Sequence, residues 1–113
     1  MTVARIDGCF AACKAAERPA LVIYLTIGDP SVEDSVACAL AALAAGADVL
    51  ELGVPFSDPS ADGPVIAAAS QRAIRAGGSL RAALETARRI REQSAAPLVL
   101  CSYLNPLLAF VED

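Results

Sequence analysis

Apolar residues recur along this chain at two different spacings, and the changes between them mark the elements. Between residues 3 and 16, Val3, Ile6, Phe10 and Cys13 fall at helical intervals while Arg5, Asp7 and Lys14 lie elsewhere, so an amphipathic helix is predicted, stopped by Pro19. Residues 20–27, ALVIYLTI, form a nearly unbroken apolar run rich in branched side chains. Such a run suits a strand covered on both faces, as in a parallel sheet. Gly28-Asp29-Pro30 reads as a turn, and Ser31 with Asp34 opens a capped helix. Its stripe of Val32, Val36, Leu40 and Leu43 runs to a stop at Gly46. A second strand is predicted over 48–53 (DVLELG), followed by the loop VPFSDPSADGP with three prolines and two carboxylates. Pro64 fits the first turn of an Ala-rich helix ending at Gly77-Gly78, and Ser79 opens another whose faces are marked by Leu80, Leu84, Ala87 and Ile90 or Arg91. A third strand is predicted over 98–103 (LVLCSY), with Asn105-Pro106 as a turn towards a further helix.

Alternating strands and helices imply parallel strands joined by right-handed crossovers. Three such strands cannot close a barrel, and as an open sheet they leave two bare edges. A (β/α)8 barrel takes about 250 residues. The α/β order over 113 residues therefore reads as the first three βα units of a TIM barrel, truncated. Residues 1–113 would be the N-terminal fragment of one barrel domain, with strands at about 20–27, 48–53 and 98–103. A small complete three-stranded α/β domain is the structural alternative.

Composition narrows the chemistry. Hydrophobic residues make up 56% of the chain, but much of that is alanine, which fills little core volume. A net charge of −4 without a basic cluster argues against nucleic-acid binding. The absence of His removes Ser-His and Cys-His nucleophile pairs and His-ligated metal sites from this segment, and no metal is expected. Cys9, Cys13, Cys38 and Cys101 contain no C-x-x-C pair and no secretory signal precedes them. They read as reduced, small, buried thiols of a cytoplasmic protein, with a disulfide or metal as the alternative. Apolar stretches are interrupted well short of the ~20 residues of a membrane helix.

Alternation within the second strand is the most informative feature. Leu50 and Leu52 share the face that meets the helices, while Val49, Glu51 and Gly53 share the other, the inside of a barrel. Glu51 would then be a carboxylate near the C-terminal end of a barrel strand, where such enzymes place their chemistry. An apolar interior disfavours the charged form and suits a group that both gives and takes a proton. From spacing alone, a structural Glu bonded to backbone or Arg fits equally well. Asp62, in A-D-G-P just before a helix, has the local pattern of an N-cap, and Asp58 and Asp29 that of turn formers. A carboxylate on a loop over a barrel mouth can also accept a hydrogen bond from a bound N–H.

The fourteen residues from Glu51 to Pro64, E-L-G-V-P-F-S-D-P-S-A-D-G-P, resemble the motif of the tryptophan synthase alpha chain family. The likeness extends through Y-L-T-I-G-D-P (24–30), A-G-A-D-V-L (45–50), the Gln71–Gly77 helix end and Y-L-N-P (103–106), covering the chain from about Pro19 onward. It implies a (β/α)8 barrel that cleaves indole-3-glycerol phosphate to indole and glyceraldehyde 3-phosphate by a retro-aldol reaction, without cofactor or metal in this chain. By that resemblance Glu51 matches the catalytic acid–base carboxylate and Asp62 the second catalytic carboxylate, while Tyr24, Cys101 and Tyr103 would line the slot for indole. A beta chain carrying pyridoxal phosphate is the implied partner, in an α2β2 assembly. Asp58, Pro59, Asn105 and Pro106 would then be partner contacts at the barrel mouth, or simple turn formers. Departures from the family pattern are Ser60 for Leu, Tyr24 for Phe and Cys101 for a larger apolar residue. The family's phosphate-holding loops follow strands 7 and 8, outside these residues, so the 113-residue chain alone is expected to be inactive and aggregation-prone. Two rival readings are a non-catalytic truncated chain that docks on a beta chain, and a standalone indole-glycerol-phosphate lyase.

Overall fold

A computed structural model describes residues 3–112. Its elements are α1 (Ala4–Ala15), β1 (Val22–Thr26), α2 (Val32–Ala45), β2 (Val49–Gly53), α3 (Pro64–Arg75), α4 (Leu80–Arg91), β3 (Leu98–Cys101) and α5 (Leu104–Glu112). The three strands form one parallel sheet in the order β1-β2-β3. No helix among the described residues is long and apolar enough to cross a membrane. Helix ends follow the local chemistry. Ser31 accepts from the Asp34 N–H at 3.0 Å to start α2, and Gly46, at φ 120°, ends it. Ser79 accepts from the Ala82 N–H at 3.0 Å to start α4.

Each outer strand is shorter than the apolar runs suggest. The Leu21 carbonyl receives the N–H groups of both Asp48 (2.9 Å) and Val49 (3.2 Å), so the regular ladder begins only at Val22. At the other end the chain turns at Gly28, and β3 stops at Cys101 because α5 begins at Leu104. Asn105 and Pro106, expected in a turn, lie inside the first turn of α5, where the missing proline N–H has no intrahelical partner to lose.

Leu50 and Leu52, both fully buried, point to the helix side and pack with Ile27, Ala39, Ala83 and Ile90 between sheet and helices. Burying a leucine contributes roughly 1.5–3 kcal/mol, so this face of β2 anchors the fold. The opposite face carries Tyr24, Glu51 and Val99 in one paired row and Thr26, Gly53 and Cys101 in the next. In the N-terminal stripe only Cys13 is buried; Val3 and Phe10 are about half exposed because no described element covers them. The thiols differ from expectation too. All four are free, but Cys9 is half-buried, and Cys38 and Cys101 are exposed, Cys38 on the outer side of α2 and Cys101 on the uncovered face of edge strand β3.

The end of β1 meets the α3–α4 connection backbone to backbone. A Cβ on Gly28, whose φ is +107°, would stand 2.7 Å from the Gly78 Cα, and one on Gly78 would stand 2.5 Å from the Ile27 carbonyl oxygen. Beside this contact, Arg72 of α3 donates to both carboxylate oxygens of Asp29, at 2.9 and 3.0 Å. The Arg72 hydrogen bond holds the Asp29 carboxyl below its ordinary value of 3.8, against partial desolvation. A depressed carboxylate stabilises the fold fully above its unfolded value, and that contribution fades as pH falls through the folded value. Thermal midpoints measured from about pH 6 down to about pH 2 should therefore fall more steeply below about pH 4 in the parent than in Asp29→Asn. Equal slopes would contradict this role, and added salt should shrink the difference, since the Arg72 side chain is 56% exposed.

Candidate active site

Strand alternation and one loop place the chemistry at the C-terminal end of the sheet. Glu51 stands half-buried on the uncovered face of β2, flanked by Tyr24 of β1 and Val99 of β3. After Gly53 the chain crosses that end of the sheet as a loop folded by short turns. The Ser60 N–H donates to the Asp58 carbonyl at 2.8 Å, and the Asp62 N–H donates to that of Pro59 at 3.1 Å. The N-cap of α3 is Gly63, with no side chain capping the helix, and Pro64 takes the first helical position. Asp62 is thus released from the capping role that its local pattern suggests.

Its carboxylate is held instead by a residue far along the chain. The Tyr103 hydroxyl donates to Asp62 Oδ2 at 3.1 Å and accepts from the Ala61 N–H at 2.8 Å. The Tyr103 ring lies against Phe56, with centroids 5.2 Å apart. Burial pushes the Tyr103 phenol above its ordinary value, opposed by the Ala61 N–H, so it remains a proton donor at neutral pH. Phe56 and the Ala61 amide were not singled out from the sequence. The loop has no periodicity from which their direction could be read.

Tyr24, Glu51, Asp62, Cys101 and Tyr103 line a single cleft of ≈ 530 Å³, completed by Val54 and Ile66 among others. That volume is within the range of small-molecule sites. Gly53 makes room for one of its walls: a Cβ there would fall 2.1 Å from the Tyr24 hydroxyl, so the phenol occupies the space that a side chain would need. Burial raises the Tyr24 phenol, opposed by the nearby Thr26 side chain. The Cys101 thiol is raised by partial desolvation and then by the charges of Glu51 and Asp62, which line the same cleft. Two acids, two phenols and an apolar wall can hold a flat, largely uncharged ligand and move a proton on it. Asp58 and Asn105 are exposed and Pro59 and Pro106 half-buried, outside the cleft lining.

A family model described as "Tryptophan synthase alpha chain" matches residues 10–113. The tryptophan synthase alpha chain of Solibacter usitatus is 50% identical over 109 residues, covering 96% of this chain and 41% of that protein. That of Alkalilimnicola ehrlichii is 53% identical over 104 residues, covering 91% of this chain and 38% of that protein. The chain thus spans about two-fifths of the length of the curated relatives it matches. Among solved structures, tryptophan synthase subunit alpha from Legionella pneumophila superposes with a TM-score of 0.90 at 39% identity, over 94% of this chain and 41% of that one. Tryptophan synthase from M. tuberculosis in an aminoacrylate-bound form gives 0.88 at 40% identity, over 94% and 43%.

Proposed function

This chain belongs to the tryptophan synthase alpha chain family, and on that premise we propose that it supplies the acid–base half of a carbon–carbon lyase site acting on indole-3-glycerol phosphate. Its three strands correspond to the first three of the family's TIM barrel. Splitting the bond at indole C3 requires a proton delivered to that carbon and another removed from the hydroxyl on the adjacent glycerol carbon. Glu51, on the inner face of β2, is the group proposed to carry them, with indole and glyceraldehyde 3-phosphate as products. Asp62 is proposed to accept from the indole N–H as positive charge develops on the ring, an interaction that strengthens towards the transition state. Tyr103 occupies one oxygen of Asp62 and leaves the other for the ligand. Tyr24 and Cys101 would form the wall beside the ring.

No cofactor is assigned to this chain; the pyridoxal phosphate chemistry is placed on a beta chain, docked through Asp58, Pro59, Asn105 and Pro106 in a cytoplasmic α2β2 assembly. The observation that carries the reading is the convergence of Glu51 and Asp62, from a strand and a loop, on one cleft. The test uses a chain carrying the full length of the relatives. Asp62→Asn keeps the shape and the Tyr103 contact but removes the negative charge. Steady-state indole release should drop by about a hundredfold in kcat with a small change in KM. A drop of less than about threefold would remove Asp62 from the mechanism.

A further inference from the structure

We propose that Cys9, Cys13 and Asp48 form a binding site for a thiophilic divalent cation of the zinc class, at the end of the sheet opposite the cleft. Cys9 and Cys13 lie one turn apart on the same face of α1, and Asp48 immediately precedes β2. Their two sulfurs and a carboxylate oxygen all lie within 4.8 Å of one another. A tetrahedral ion with metal–sulfur bonds of ~2.3 Å and metal–oxygen bonds of ~2.1 Å needs ligand separations of roughly 3.5–3.8 Å, so a contraction of about 1 Å brings the three into coordination.

The present contacts already aim these atoms at one point. The Cys9 thiol donates to the Asp48 backbone carbonyl at 3.7 Å, and the Cys13 sulfur lies within 4.8 Å of an Asp48 carboxylate oxygen. The ion would sit between that sulfur and the carboxylate, in place of the Cys13 proton. Each thiol gives its proton to solvent as its sulfur–metal bond forms, so no oxidant or other reactant enters. The carboxylate is also oriented from outside. Arg18 donates to both of its oxygens at 2.9 Å, and the Leu21 N–H donates to Oδ2 at 2.8 Å. Such partners are what hold a ligating carboxylate in position. Two thiolates, one carboxylate, one guanidinium and a divalent ion together are electrically neutral, and the sulfur donors select a soft ion over magnesium or calcium. Cys13 is 3% exposed while Cys9 is half-buried, which leaves a fourth position open to water.

The experiment is a titration of the reduced, metal-free, full-length protein with Cd2+ alone, followed by the sulfur-to-cadmium charge-transfer absorption. The expected result is saturation at one ion per chain, reversal by Zn2+, and a higher thermal midpoint for the loaded protein. Cys9→Ser and Cys13→Ser should each weaken binding at least tenfold, whereas the double variant Cys38→Ser/Cys101→Ser should bind as the parent does. Cys9, half-buried and nearly isosteric with Ser, is the decisive position if the buried Cys13→Ser does not fold. No saturable band, or a band unchanged in Cys9→Ser, overturns the proposal.

Discussion

In a chain carrying the full length of the relatives, Glu51→Gln is expected to lower kcat for indole release by about a thousandfold, with KM changed by less than about threefold. The amide has nearly the shape of the acid, so it fills the same place between Tyr24 and Val99 and leaves the sheet register intact. What it loses is the capacity to pick up a proton on one side of the reaction and deliver one on the other. A thousandfold change corresponds to about 4 kcal/mol of transition-state stabilisation, within the range of a positioned acid–base group. Steady-state assays at saturating substrate provide the measurement. Turnover within about tenfold of the parent would show that the proton moves by another route.

The second large effect is on folding. Gly78→Ala should destabilise the protein by about 3 kcal/mol, lowering the thermal midpoint by roughly 6–12 °C in a chain as long as its relatives. The added carbon would stand 2.5 Å from the Ile27 carbonyl oxygen and 2.9 Å from that of Ala73. Both atoms are backbone, so neither can rotate away as a side-chain tip would. Relief requires separating β1 from the α3–α4 connection, which also disturbs the Gly78 N–H bond to Ala73 at 2.7 Å. Gly8→Ala is the control: nothing lies within 4 Å of its Cβ position, and alanine favours the helix by roughly 0.5–1 kcal/mol. If Gly78→Ala unfolds at the same temperature as Gly8→Ala, the close approach carries no energetic weight.

Features with a local cause were legible in the sequence. Leu50 and Leu52 face the helices because strand geometry alternates, and Ser31, Gly46 and Ser79 end helices because their own atoms or dihedrals do the work. The same alternation set Glu51 on the inner face. Readings that depended on distant partners went differently. Asp62 has the local pattern of an N-cap, yet its carboxylate pairs with a phenol 41 residues away, which no spacing rule reports. Asn105-Pro106 looked like a turn because both residues favour turns, but proline is equally suited to a helix's first turn. Cys38 and Cys101 looked buried by residue type, whereas exposure depends on which elements cover α2 and the edge strand β3. The convergence of Cys9 and Cys13 on Asp48 was likewise beyond i, i+4 reasoning, since it needs α1 folded back onto the start of β2.

The Tyr103 hydroxyl bonds fix where the loop's acid takes its bearings. By gripping Ala61 and Asp62 together, the phenol ties that carboxylate to the strand that follows it in sequence, not to the strand it has just left. The separation between the two acids is then gauged by the pairing of neighbouring strands, a far stiffer ruler than ten residues of loop.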